Sequence, residues 1–141
     1  MLTVTVVCVG SLKEAYLRDA VKEYEKRLAA FCRYRTVELK DGAPILPALP
    51  DRAFRIALCV EGKQLSSEEL ATLVDAKASE GFSEIVFVIG PFDGLPEEVK
   101  RACHLRLSFS KMTFTHQWMR ALLAEQVYRA FTILSGGKYH K

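Results

Sequence analysis

A strand, a polar loop and a long helix follow one another over residues 105–134, and this junction is well suited to bind a polar ligand. The apolar run 105–109 predicts a strand, and residues 110–115 form a polar loop. Thr115 is placed to cap the helix that follows, because its hydroxyl can accept a free backbone N–H. Unpaired N–H groups at such a junction favour a polar ligand. On periodicity alone, a buried helix with one solvated side is the simpler interpretation.

The predicted helix has an apolar and a polar face. Apolar residues recur at helical spacing, namely Met119, Leu122, Leu123, Val127, Ala130, Phe131 and Leu134. Polar residues occupy the other face, namely Arg120, Glu125, Gln126 and Arg129. We expect the first set to pack on a core and the second to be solvated.

Composition excludes several classes of protein. The 141 residues are 50% hydrophobic, which predicts one domain, 1–141, with a core of its own. No apolar run approaches the ~20 residues needed to span a bilayer, and the start of the chain lacks the features of a signal peptide. The cysteines show no CxxC pair and no His-rich partner spacing; they are Cys8, Cys32, Cys59 and Cys103. We therefore expect reduced thiols, a cytoplasmic protein and no metal.

Charge is unevenly distributed. Residues 101–141 contain seven Lys or Arg and one acid, Glu125, a net charge of +6, whereas residues 1–100 carry −3. Such an asymmetry favours a polyanionic partner, because Lys and Arg displace counterions from phosphates. A solvated basic face is the alternative, since there is no arginine-rich tract and no aromatic RNA-binding pattern.

Strand and helix signals alternate along the chain. The predicted strands are 2–9, 34–40, 54–60, 84–89 and 105–109. The predicted helices are 12–31, 66–80, 96–103 and the helix after Thr115. Ser66 and Glu69 have the spacing of a capping box, and Gly81 is a natural helix terminator. The order β-α-β-β-α-β-α-β-α predicts an α/β fold with a mainly parallel sheet flanked by helices.

Five stretches of this sequence resemble the RlmH family, which comprises S-adenosylmethionine-dependent RNA methyltransferases of the SPOUT class. They are VGSLKEAYLRDAVKEYEKRL, LCVEGKQLSSEELA, FVIGPFDGL, LSFSKMTFTHQWMRALLAEQVYRA and KYHK. The likeness covers nearly the whole chain. The family usually has a longer segment where this chain has the proline-rich connector 41–51.

The resemblance implies a SPOUT fold with a C-terminal trefoil knot that holds S-adenosylmethionine in a bent conformation. Leu58 matches a position whose backbone meets the adenine, and Gly90 matches a glycine that the donor approaches closely. The loop around adenine and ribose is matched by Phe109, Ser110, Lys111, Met112, Thr113 and Phe114. Two residues depart from the family pattern: Pro91 replaces a glycine, and Thr115 replaces a proline. The three strands that lead into these loops end at one sheet edge, where ligands gather.

The resemblance also implies methylation of N3 of a pseudouridine in large-subunit (23S) rRNA within the assembled ribosome. Candidates to help remove the N3 proton are His116, Arg120, Glu125, Arg129, Tyr139 and His140. The last four are the predicted catalytic residues, although Glu125 and Arg129 at i,i+4 are equally typical of a helix salt bridge. Tyr139 and His140 lie in a terminal tail after two glycines, and we expect this tail to fold over the nucleotide.

The predicted partners follow from the same resemblance and from size. The class forms homodimers through its C-terminal helices, with Trp118 as a candidate contact or, alternatively, a core residue. We find no stacking platform for sequence-specific RNA readout, so the target must be recognised by shape on the ribosome. We expect neither DNA nor a membrane as partner. The alternatives are a non-catalytic ribosome- or RNA-binding factor and a flavodoxin-like nucleotide or phosphate binder; binding of S-adenosylmethionine separates them from the enzyme.

Overall fold

The computed structural model describes all 141 residues, and its elements follow the predicted order. They are β1 (Thr3–Val9), α1 (Ala15–Leu28), β2 (Arg33–Leu39), β3 (Phe54–Gln64), α2 (Ser67–Ser79), β4 (Glu84–Ile89), α3 (Glu97–Ala102), β5 (Leu105–Ser108) and α4 (His116–Leu134). The proline-rich connector contains only a short 3₁₀ turn, Leu46–Ala48.

The five strands form one parallel sheet in the order β2-β1-β4-β3-β5. This confirms the predicted α/β class with a parallel sheet. β1 and β4 are almost wholly buried, as expected for central parallel strands covered on both faces. β2 is an edge strand with no fully buried residue. All five strands run in one direction, so their carboxyl ends share one edge. The trefoil knot implied by the resemblance stays a prediction.

Helices cover both faces of the sheet. α1, α2 and α4 pack on one face, where Leu28, Leu70 and Leu123 join the core residues of β1, β3 and β4. α3 and the 3₁₀ turn cover the other face with a smaller core that includes Ile45 and Val99. The carboxyl edge of the sheet is left open between these layers.

Three predicted boundaries were wrong, two on α1 and one on β3. α1 begins at Ala15 rather than residue 12 and ends at Leu28 rather than 31. β3 continues to Gln64 instead of ending at 60, and its pairing with β5 shifts register between Leu58 and Lys63. Gly62 makes the second pairing possible, because a Cβ there would lie 2.7 Å from the backbone of β5.

The predicted helix caps are confirmed. Ser66 and Glu69 form a capping box at the start of α2. Thr115 Oγ1 accepts a hydrogen bond from the Trp118 N–H at the start of α4, with a donor–acceptor distance of 3.2 Å. Gly81, with φ +104°, follows α2 in the left-handed region that favours glycine.

The predicted solvated face of α4 was wrong at Arg120. This side chain is only 8% exposed, and its Nη1 donates to Glu38 Oε2 on β2 at 2.7 Å. The partner lies 82 residues earlier in the chain, so helical periodicity could not reveal it. Leu134, assigned to the core-facing side, is 42% exposed at the end of the helix.

Candidate active site

A cavity of about 760 Å³ opens at the carboxyl ends of β3, β4 and β5. Its walls are formed by residues 58–61, 89–95, 107–110 and 112–119, together with the start of α1. Cavities of 300–1,000 Å³ typically hold small ligands. The cavity lies at the sheet edge where the sequence predicted ligand binding, and we call it the donor cavity after the ligand that the resemblance predicts for it.

Every predicted donor-binding residue except one lines the donor cavity. The lining members are Leu58, Gly90, Phe109, Ser110, Met112, Thr113 and Phe114. Lys111 is exposed to solvent and does not form part of the wall. Of the 27 lining residues 14 are hydrophobic, so the cavity suits a ligand that has both apolar and polar parts.

The 109–114 loop is shaped by its own serines. Ser108 Oγ donates to the Ser110 carbonyl at 2.8 Å, and Ser110 Oγ accepts from the Met112 N–H at 3.0 Å. Short polar side chains fix turns in this way. Met112 and Phe114 are left 76% and 42% exposed at the cavity mouth, where they can pack on a ligand.

Gly90 has a structural role that the family resemblance did not indicate. A Cβ at Gly90 would lie 2.8 Å from the backbone of Gly94 and Leu95, so the loop after β4 folds directly onto this residue. The Gly94 N–H donates to the Pro91 carbonyl at 2.8 Å, and Gly94 has φ +89°. Pro91 therefore begins a tight turn, and Gly90 is needed by the loop itself.

An ion pair forms another part of the cavity wall. Lys100 of α3 donates to Glu61 of β3, and this hydrogen bond lowers the pKa of Glu61 and raises the pKa of Lys100. Burial raises the pKa of the neighbouring Cys59 thiol. Cys59 is therefore a protonated thiol at neutral pH, which makes it a poor nucleophile.

The four predicted catalytic residues are brought together, and we call them the tail cluster: Glu125, Arg129, Tyr139 and His140. Tyr139 Oη donates to Glu125 Oε2 at 2.8 Å, and Arg129 Nη2 lies 2.9 Å from the same oxygen. Arg129 Nη1 lies 3.0 Å from His140 Nδ1. Glu125 and Arg129 thus form the helix salt bridge, and the terminal tail is bound to it.

Protonation in the tail cluster follows from these contacts. Arginine only donates, so His140 Nδ1 accepts from Arg129, and Nε2 carries the hydrogen that faces Glu68 Oε1 at 2.9 Å. Burial and hydrogen bonds with Tyr24 and Glu125 raise the pKa of Tyr139, so it remains a phenol at neutral pH. The pKa of Arg129 is raised by its hydrogen bond with Glu125. Each member is already engaged by a neighbour.

The tail cluster does not line the donor cavity. It packs against α1, where Tyr24 Oη lies 2.9 Å from Tyr139 Oη, and against α2 through Glu68. The predicted position of the tail over the nucleotide stays a prediction. Of the two remaining candidates, His116 lines the cavity, whereas Arg120 is held in its ion pair with Glu38.

Sequence reasoning missed the wall formed by the start of α1. Glu14, Tyr16 and Leu17 line the donor cavity, and the Tyr16 ring packs against Trp118 of α4 with centroids 5.8 Å apart. Trp118 is 47% exposed and is therefore no core residue. No local signal could have joined these residues, because about a hundred positions separate them.

Much of the C-terminal positive charge is compensated within the chain. Arg101 and Arg106 pair with Glu97, Arg120 pairs with Glu38, and Arg129 pairs with Glu125. The lysines of this segment have no ion-pair partner; they are Lys111, Lys138 and Lys141. Sequence counting therefore overestimated the charge that this segment offers to a polyanion.

Three further features concern metal ions, membranes and disulfides. The structure contains no group of three His, Cys, Asp or Glu side chains placed to hold a metal ion. None of its helices combines the length and the apolar character needed to cross a membrane. All four cysteines are free.

Sequence comparison defines the class. The family model described as "Predicted SPOUT methyltransferase" matches residues 2–140, and the chain belongs to this family of methyltransferases. Curated relatives match along almost their full length, and each is named "Ribosomal RNA large subunit methyltransferase H". The protein of Streptococcus equi subsp. zooepidemicus is 42% identical over 159 residues, with 99% of this chain and all of the relative covered. The protein of Caldicellulosiruptor saccharolyticus is 43% identical, with 98% of this chain and 99% of the relative covered.

Solved structures share the fold. A probable methylase family protein from Haemophilus influenzae superposes with a TM-score of 0.66 at 14% identity, covering 98% of this chain and 70% of that one. A probable methyltransferase from Bordetella pertussis gives a TM-score of 0.61 at 14% identity, covering 92% and 95%. The relative from Streptococcus is longer than this chain, which agrees with a shortened segment; its placement at 41–51 stays a prediction.

Proposed function

We propose that this protein transfers a methyl group from S-adenosylmethionine to N3 of a pseudouridine in large-subunit (23S) rRNA. The observation that carries the proposal is the donor cavity, which gathers residues from three separate stretches that resemble the family's donor site. Support comes from the SPOUT family match and from the name of the curated relatives. N3 of pseudouridine as the target atom rests on the family resemblance.

The residues of the donor cavity fit S-adenosylmethionine. Leu58 and the 109–114 loop offer backbone groups and apolar side chains for the adenine and ribose, and Phe114 and Met112 lie at the mouth to cover the base. The donor supplies an electrophilic methyl group on a positively charged sulfur. The protein has then to hold the target nitrogen in line with that methyl and to assist loss of the N3 proton.

The tail cluster is the proposed source of that assistance. In the arrangement described, Tyr139 is a hydrogen-bond donor to Glu125. The ring nitrogen of His140 that could accept a proton, Nδ1, already accepts a hydrogen bond from Arg129. A base becomes available only when the tail separates from Arg129 or Glu125. We propose that the target nucleotide competes for these hydrogen bonds and thereby brings the tail over itself.

Titration calorimetry with S-adenosylmethionine tests the donor site. The parent protein should bind the donor and its demethylated product, and Phe114→Ala should weaken both, because it removes an exposed ring from the cavity mouth. Lys111→Ala is the matched control, since Lys111 belongs to the same loop but lies off the wall. Absence of binding by the parent would favour the alternative of a non-catalytic RNA-binding factor.

We further propose that the substrate is the assembled ribosome, and that the protein acts in the cytoplasm as a single domain. Lys100 and Arg106, which lie near the cavity, are held in ion pairs, and the sequence shows neither an arginine-rich tract nor an aromatic RNA-binding pattern. Recognition by the shape of a prefolded target fits these properties better than readout of bases.

A homodimer is the proposed oligomeric state. Tyr16, Phe92, Met112 and Trp118 surround the cavity mouth and are 57%, 89%, 76% and 47% exposed. Exposed apolar residues in one patch often mark an interface. Light scattering at micromolar protein should return twice the 15.9 kDa chain mass, whereas Phe92→Asp combined with Trp118→Ala should shift the protein towards the monomer. A parent protein of monomer mass would contradict this proposal.

A further inference from the structure

Gln117 joins two parts of the chain that are 106 residues apart. Its amide nitrogen donates to the Ser11 carbonyl at 2.9 Å, and its amide oxygen accepts from the Lys13 N–H at 3.1 Å. Gln117 lies in the first turn of α4, and Ser11 and Lys13 lie in the loop between β1 and α1. A primary amide can bind a backbone donor and a backbone acceptor at once.

The same loop is also held from its other side. Arg18 Nη1 donates to the Leu12 carbonyl at 2.9 Å and to the Lys13 carbonyl at 2.8 Å. The loop begins at Gly10, whose φ of +82° turns the chain away from β1. The backbone groups of residues 11–13 are thus bound by Gln117 and by Arg18. These hydrogen bonds fix the position of a segment that has no regular secondary structure.

This loop sets the position of a cavity wall. Glu14, Tyr16 and Leu17 follow it directly and line the donor cavity, as do Gln117 and Trp118. The Tyr16 and Trp118 rings pack across the junction. Loss of the Gln117 contacts would free the start of α1 to move away from α4 and would widen the cavity on this side.

We propose that Gln117 is a positioning residue that sets the affinity of the donor cavity for S-adenosylmethionine by holding the β1–α1 loop against α4. The inference rests on the proposed function. Gln117 acts through the wall and not on the reacting atoms, so its loss should affect donor binding and leave the chemical step intact.

The first test replaces the amide. Gln117→Ala should raise the Kd and the KM for the donor about tenfold, the size expected for losing one or two hydrogen bonds, while kcat at saturating donor is unchanged. Gln126→Ala is the matched control for donor affinity, because Gln126 lies on the same helix and its amide contacts Ser67 of α2 and Glu125 instead; the donor Kd should be unchanged. Trp118 is the only tryptophan, so its fluorescence reports both binding and the Tyr16 contact.

The second test separates this role from a general loss of stability. Gln117→Glu keeps the acceptor for the Lys13 N–H but presents a carboxylate, which cannot donate, to the Ser11 carbonyl. Relative to the parent at each pH, its donor affinity should be weakened at neutral pH and should recover as the pH falls towards the carboxyl pKa of about 4.3. Melting temperatures of all variants should stay close together, because the contacts are at the surface.

Three outcomes would overturn the inference. Equal donor affinity of Gln117→Ala and the parent would show that the loop needs no such contact. A fall in kcat at unchanged KM would place Gln117 in the chemical step. A parent protein that binds no donor would overturn the proposed function and this inference with it, whereas a parent that binds the donor no more tightly than Gln117→Ala would overturn this inference alone.

Discussion

The donor cavity and the tail cluster differ in how their polar groups are used. The cavity is formed by three loops at the carboxyl edge of the sheet, and its exposed side chains Met112 and Phe114 have space in front of them. In the tail cluster, each side chain binds another, and the contacts extend to Tyr24 and Glu68. The donor cavity has space for a ligand, whereas in the proposed mechanism the tail cluster exchanges hydrogen-bond partners before it acts. Donor binding and methyl transfer should therefore respond to different mutations.

The largest effect is expected from the tail. Tyr139→Phe combined with His140→Ala removes the tail's polar contacts without touching the cavity. We expect methyl transfer to fall by at least about 10²-fold, the usual scale of acid–base assistance, with an unchanged donor Kd. Labelled methyl incorporation into ribosomes and donor calorimetry measure the two quantities. An unchanged rate would show that the tail takes no part in methyl transfer. A loss of donor affinity would show that the tail cluster and the donor cavity do not act independently.

A second, intermediate effect is expected at Gly90. Gly90→Val places carbon atoms against the Gly94 and Leu95 backbone, at 2.8 Å already for Cβ, so the loop must move. We expect a loss of about 1–3 kcal/mol in the free energy of unfolding and a weakened donor Kd. Calorimetry and thermal melting measure both.

Gly137→Ala is the matched change in the tail region. Its Cβ would meet the Thr132 carbonyl at 3.3 Å, a contact that a small shift of the tail relieves. Donor affinity should be unchanged. If Gly90→Val bound the donor as tightly as the parent, the cavity assigned here would not be the donor site.

The smallest effect concerns pH. The folded pKa of Tyr139 is raised above its ordinary value of 10.0. Its stabilising contribution is therefore complete below pH 10 and is lost as the pH rises towards the folded pKa. Tyr139→Phe lacks the phenol. Between pH 10 and pH 11 its free energy of unfolding should therefore fall by about 1 kcal/mol less than that of the parent. Urea unfolding at pH 9, 10 and 11 measures the slopes; parallel slopes would mean that Tyr139 is solvated rather than held in the cluster.

The sequence predicted the element order because each element carries its own local signal. The capping box at Ser66 and the threonine cap at Thr115 are contacts between near neighbours, and both are confirmed. The long apolar runs of β1 and β4 are buried, as parallel central strands must be. These features depend on residues within one turn or one strand of each other.

Long-range contacts explain what sequence reasoning missed. Residues 12–14 look helical, but Gln117 and Arg18 hold this stretch as a loop, so α1 starts at Ala15. Arg120 was placed in solvent because its partner Glu38 is on a distant strand. The donor loops were found through resemblance, whereas the α1 wall of the cavity and the contacts of Gly90 emerge only when the chain is folded.

The most direct test of the proposed function is methyl transfer to ribosomes that lack the modification. The protein, S-adenosylmethionine with a labelled methyl group and matched amounts of ribosomes, isolated subunits or naked rRNA are incubated together. The rRNA is then digested to nucleosides for mass spectrometry. We expect N3-methylpseudouridine from whole ribosomes, little from subunits and almost none from naked rRNA, at a salt concentration where non-specific RNA binding is lost. Absence of the methylated nucleoside from ribosomes, with donor binding intact, would contradict the proposed activity, and equal yields from naked rRNA would contradict recognition of the assembled particle.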